Sequence, residues 1–192
     1  MTIPLHLTLF EQEEALIKGC KEGNAHAQKT LYNKYAELLM LICLRYANNK
    51  EDAKDMLMQA MVECFKCINN MEYRGEGSLK AWLKRVTVNQ CLMQLRKQRA
   101  DFHELDDRME DHAVGGQEND AMTQLTVKEI MLWIHELPPG YRTVFNLYVF
   151  EDMGHKDIAA MLGISESTSK TQLHKARALL QNKITGSQRI AL

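Results

Sequence analysis

Residues 155–180 read HKDIAAMLGISESTSKTQLHKARALL. The segment splits at Gly163 into a short helical pattern and a longer one rich in hydroxyls and bases. A glycine at that point supplies the positive φ that a helix C-terminus often needs. Ile164 can pack back on the first helix, and Ser165 can cap the second. Two helices joined by so short a turn cross steeply, the geometry of a helix-turn-helix. On a helical wheel Ser169, Leu173, Ala176 and Leu180 share a face expected to pack inward, with Glu166 toward that buried side. Ser167, Thr171, His174 and Lys175 lie opposite, flanked by Thr168 and Lys170. Lysines answer phosphates, and short polar side chains reach base edges, so this outer face suits DNA. The bland alternative is an ordinary solvated helix face.

Working outward, apolar residues recur at helical spacing nearly everywhere and strand signals are scarce. The pattern predicts a short helix over about 11–20, ended by Gly23, and a second capped by Asn24. The second carries Leu31, Tyr35, Leu38, Leu39, Ile42 and Tyr46 as a wide apolar stripe. Asn49 with Asp52 predicts the cap of a third helix over about 51–69, and a fourth follows from Ser78 to Arg99. From Asp101 the chain turns acidic around Gly115-Gly116 and loses its apolar period, as a flexible linker does. Helical pattern returns at about Thr126, and Pro138-Pro139 breaks it. The expected architecture is all-α: two small helical domains, residues 1–100 and 126–192, joined by an acidic linker over 101–125, the second domain ending in the helix-turn-helix.

The first half has a basic face of its own. From Tyr73 to Arg99 the bases Arg74, Lys80, Lys84, Arg85, Arg96, Lys97 and Arg99 face the single acid Glu76. Ser78, Trp82, Arg85, Asn89 and Arg96 recur on one side of the fourth helix, while Leu79, Leu83 and Val86 lie on another. An aromatic among cations and amides is what a single strand requires: rings stack on bases, cations track phosphates, amides read base edges. The competing reading makes Trp82 a core residue between helices.

Composition bounds the alternatives. With 192 residues and net charge −1, the chain is ordinary for a globular protein and not a basic binder as a whole. No apolar run reaches the ~18 residues of a membrane span, and the N-terminus meets an acidic run at Glu11 without a basic leader, so neither membrane insertion nor a signal peptide is expected. Five cysteines in no small-scaffold spacing suit a reducing cytoplasm. Cys64 and Cys67 make a C-x-x-C, but within a helical pattern and without a second pair or nearby His; they are expected to be two helix cysteines rather than a redox or metal pair. No cofactor, metal or catalytic chemistry is expected.

These residues together resemble the extracytoplasmic-function sigma factors, the small two-domain class of bacterial transcription initiation factors in the sigma-70 family. The resemblance covers roughly 11–99 and 126–184 and rests on three segments in order: LYNKYAELLMLICLRYANNKEDAKDM, YRGEGSLKAWLKRVTVN, and LPPGYRTVFNLYVFEDMGHKDIAAMLGISESTSKTQLHKARALL. It implies a subunit of RNA polymerase that directs promoter recognition and melting. Ser167, Thr168, Lys170, Thr171, His174 and Lys175 would meet the promoter element centred about minus thirty-five. Asn69, Asn70, Arg74, Ser78, Lys80, Trp82, Arg85 and Asn89 would capture the non-template strand at about minus ten. Asp52, Asp55 and Gln59 would touch core polymerase, although Met58-Gln59 stands where the family usually has Gln-Glu. Many members have Val at Ser169 and Arg at Gln172, and Gly154 replaces a common hydroxyl cap. Partners implied are core polymerase, promoter DNA and an anti-sigma factor. An autonomous helix-turn-helix regulator is the rival reading; it leaves the Trp-bearing basic helix without a role.

Overall fold

The computed structural model describes residues 5–102 and 127–190, all helix and turn, and divides into two compact units, Met1–Asp107 and Arg108–Leu192. The first unit holds α1 (Leu5–Lys21), α2 (Ala25–Tyr46), α3 (Lys50–Cys67), a 3₁₀ turn over Ile68–Asn70, and α4 (Ser78–Phe102). The second holds α5 (Val127–His135), α6 (Pro139–Val149), α7 (His155–Leu162) and α8 (Glu166–Ile190).

In the first unit α2, α3 and α4 each pack on the other two, and α1 lies on α2. Leu31, Leu39, Met56, Leu79, Leu83 and Leu92 are fully buried between them. Each such side chain contributes about 1.5–3 kcal/mol relative to exposure, so the stripe drives helix pairing. Leu38, expected in the stripe, is only half-buried. The chain turns from α1 to α2 as the residues dictate. Gly23 takes φ 73°, and Asn24 accepts from the backbone N–H of His26 and Ala27. Asn49 likewise accepts from Asp52 N at 2.8 Å to open α3.

Three boundaries differ from the sequence reading. Helix α1 begins at Leu5 rather than about 11, because nothing from Leu5 to Phe10 breaks a helix. Helix α3 ends at Cys67 and tightens into the 3₁₀ turn, a common way for a helix to stop. Helix α4 runs on to Phe102, across the expected start of the linker at Asp101; the rest of the linker lies outside the described residues.

In the second unit Ile134, Leu137, Ala176 and Leu180 form a core, with Trp133, Tyr141, Phe145 and Phe150 packed against it. The proline pair starts a helix as much as it ends one: α5 stops at His135, and Pro139 occupies the first turn of α6, where its missing N–H costs nothing. The buried Arg142 then donates to the His135 carbonyl at 2.8 Å, giving the end of α5 a cationic cap. Burial pushes that guanidinium below its ordinary pKa.

Candidate nucleic-acid interface

The turn between α7 and α8 sets up the first candidate face. Gly163 sits at φ 68°, ψ 32°, and the next N–H, that of Ile164, donates to Ala159 O at 3.1 Å. This is the Schellman closure of a helix end. Ser165 Oγ then accepts from Thr168 N at 2.9 Å, capping α8. Gly154, at the start of α7, makes no side-chain cap.

Along α8 the inward set Ser169, Leu173, Ala176 and Leu180 is buried. Ser167, Thr168, Lys170, Thr171, His174 and Lys175 are all exposed. Three of these six already have partners. Thr168 Oγ1 lies 2.8 Å from Ser165 Oγ. Lys170 Nζ is 2.6 Å from Glu166, and Lys175 Nζ lies over the Tyr141 ring, 5.8 Å from its centroid. Glu166 therefore does not face the buried side as the wheel suggested. It is exposed at the first turn, and Lys170 holds its carboxyl below the ordinary carboxylate range.

The second candidate face follows the loop into α4. Asn69 and Asn70 are exposed on the 3₁₀ turn. Arg74 is exposed and 2.9 Å from Glu72, while its backbone N–H donates to Ser78 Oγ at 3.3 Å. On α4, Lys80, Arg85 and Asn89 are exposed and Ser78 and Trp82 half-buried, whereas Leu79 and Leu83 are fully buried. Trp82 is thus neither a closed core residue nor a free ring.

Two residues that the sequence reading passed over brace this loop. Glu13 on α1 is 5% exposed; its carboxylate accepts from Gly77 N at 3.1 Å and from the Tyr35 phenol. Burial and that carboxylate push the Tyr35 phenol up to about 12. Lys21 Nζ donates to the Met71 carbonyl at 2.8 Å. One helix therefore ties both ends of the loop 71–77. The only signal in the sequence was an acid in the apolar register of α1, too weak to single out Glu13.

Of the polymerase candidates, Asp55 and Gln59 are exposed and Asp52 is half-buried. Asp52 is occupied at the helix start, accepting from Asn49 Nδ2 at 3.1 Å. Gln59 accepts from Gln94 of α4. Met58, Gln59, Val62, Glu63, Lys66 and Gln90 line an open groove of about 320 Å³ between α3 and α4. Cys64 and Cys67 lie on α3; burial raises both thiols, Cys64 to about 12, so neither offers a ready thiolate. No group of His, Cys, Asp or Glu among the described residues is placed to hold a metal, and no described helix is long and apolar enough to cross a membrane.

Residues 31–100 match the family model for sigma-70 region 2, and residues 128–180 match that for sigma-70 region 4. Together they span more than half of the chain. The chain is 25% identical to the ECF RNA polymerase sigma-E factor of Haemophilus influenzae, over 90% of this chain and 95% of the relative. It is 23% identical to the RNA polymerase sigma-H factor of Pseudomonas aeruginosa, over 91% and 94%. It is 26% identical to the ECF RNA polymerase sigma factor SigW of Bacillus subtilis, over 88% and 94%. Among solved structures, the sigma factor RpoE in complex with the anti-sigma factor NepR from Bartonella quintana is similar in fold, with TM-score 0.52 and 18% identity over 82% of this chain and 96% of that one.

Proposed function

The chain belongs to the sigma-70 family, in its extracytoplasmic-function class, and directs promoter recognition and transcription initiation; from that premise we propose how its two faces divide the work. Helix α8 enters the major groove of the upstream element, with Lys170 and Lys175 mainly on phosphates and Ser167, Thr168, Thr171 and His174 on base edges. The loop residues Asn69, Asn70 and Arg74, with Ser78, Lys80, Trp82, Arg85 and Asn89 of α4, capture the melted strand at the downstream element. The domains that do so are residues 1–100 and 126–192. The observation that carries this reading is the division of α8: six polar side chains exposed on one side, Ser169, Leu173, Ala176 and Leu180 buried on the other.

Melting on this reading is driven by binding alone. Bases held out of the stack by Trp82 and the loop offset the few kcal/mol of lost stacking and pairing. The chain itself makes and breaks no bond, needs no cofactor, and works in the cytoplasm beside the polymerase. Asp52, Asp55 and Gln59 on α3 dock on core polymerase, and an anti-sigma factor holds the free chain, as NepR binds RpoE in the similar structure.

The test is run-off transcription with core polymerase on a genomic fragment library, followed by permanganate footprinting on the promoter found. Trp82→Ala should keep polymerase binding and lose the reactive thymines of the open complex. Normal thymine reactivity in that variant would remove Trp82 from strand capture.

A further inference from the structure

Helix α8 is joined to the rest of its unit by one polar bond at its buried side. Ser169 is fully buried, and its Oγ lies 2.9 Å from Nδ1 of His155, the first residue of α7. The imidazole is in turn stacked on Tyr148 of α6, with centroids 4.9 Å apart and planes 28° from parallel. Arg177, further along α8, places its guanidinium over the same Tyr148 ring, 5.3 Å from the centroid. The chain of contacts therefore runs from α6 through α7 to α8 and back to α6.

The other buried residues on this face of α8 are Leu173, Ala176 and Leu180. Apolar burial is non-directional and tolerates small rotations of a helix about its axis. A hydrogen bond does not, because it weakens steeply with misalignment. Elsewhere in the chain Thr30, Thr87 and Thr143 return their hydroxyls to carbonyls four residues back in their own helices. The Ser169 bond crosses between helices. It also sits inside the DNA-facing run, with Thr168 and Lys170 as its sequence neighbours.

We propose that His155 is a positioning residue for promoter recognition: through Ser169 it fixes the rotation of α8 and so the aim of Thr168, Lys170 and Thr171 at the bases. This rests on the reading that α8 faces the upstream element. Nothing about His155 itself touches DNA in this account. A serine hydroxyl both donates and accepts, so it complements either tautomer of the ring.

The experiment uses holoenzyme assembled from the full chain and core polymerase, and duplexes randomised across the upstream element, sequenced before and after selection. His155→Phe keeps a ring against Tyr148 and removes the bond. It should flatten the base preference by about five- to tenfold, in line with a buried hydroxyl left unpaired. His155→Asn, whose amide can occupy the place of Nδ1, should restore the preference. Ser169→Ala, a smaller change that spares the ring, should flatten it as His155→Phe does. A wild-type profile in Ser169→Ala, or failure of His155→Asn to restore what His155→Phe loses, overturns the proposal, because packing rather than the bond would then set α8. Lys170→Ala and Thr171→Ala run beside them. If these two leave the profile unchanged, the DNA-facing reading of α8 fails, and the positioning role falls with it. If they change it while Ser169→Ala does not, only the positioning role fails.

Discussion

Glu166 and Lys170 occupy one turn of α8 and hold each other at 2.6 Å, both largely exposed. Because the carboxyl is lowered, the pair is intact above the ordinary carboxylate range and is lost only as pH falls through that lowered value. Near neutral pH the ammonium is therefore shared before DNA arrives. Glu166→Gln should raise affinity for upstream duplex at low salt, and the gain should shrink as the Debye length falls below ~8–10 Å. Anisotropy titrations at two salt concentrations measure this; equal affinities at low salt would show that the acid does not restrain Lys170. The residues of this face were legible in the sequence because helical angle follows from spacing alone. Glu166 was not, because angle does not tell whether a neighbour covers that turn, and its side chain is 50% exposed. Trp82 shows the same limit: spacing put it beside Arg85 and Asn89, but only packing makes it half-buried.

At the level of the element, the turn chemistry was readable and the helix ends less so. Gly23, Asn24, Asn49, Gly163 and Ser165 act where the sequence placed them, since caps and positive-φ positions depend on a few adjacent residues. The first turn of α1 and the last turns of α3, α4 and α5 depend on what packs nearby, and there the reading moved by several residues. The burial of Arg142 and Asn146 in α6 was illegible for the same reason: a polar side chain looks solvated until its partners are known. Gly163 offers a clean measurement. A Cβ added there would meet no atom within 4 Å, so the cost of Gly163→Ala comes from the left-handed backbone alone. It should destabilise the protein by about 1 kcal/mol, read as a lower midpoint in thermal or urea unfolding. An unchanged midpoint would mean that the turn relaxes without strain.

For the whole molecule, the sequence reading and the comparisons agree on two sigma-like halves. Between them, residues 101–125 carry Asp101, Glu104, Asp106, Asp107, Glu110, Asp111, Glu118 and Asp120 against the lone base Arg108. Net charge of −1 hides this separation from the basic runs on either side. Such acids compete electrostatically with DNA phosphates for nearby cations. A variant with Asn and Gln at all eight positions should bind promoter duplex more tightly than wild type as free protein, most at low salt. Equal binding at low salt would leave the segment as a spacer only. The family match begins at residue 31, yet the loop that feeds α4 is tied at both ends by Glu13 and Lys21 of α1. Homology and mechanics thus draw different borders around this unit. A fragment cut where the likeness starts would retain every side chain proposed to touch the melted strand, and would leave the Gly77 amide and the Met71 carbonyl without the clamp that shapes their approach to it.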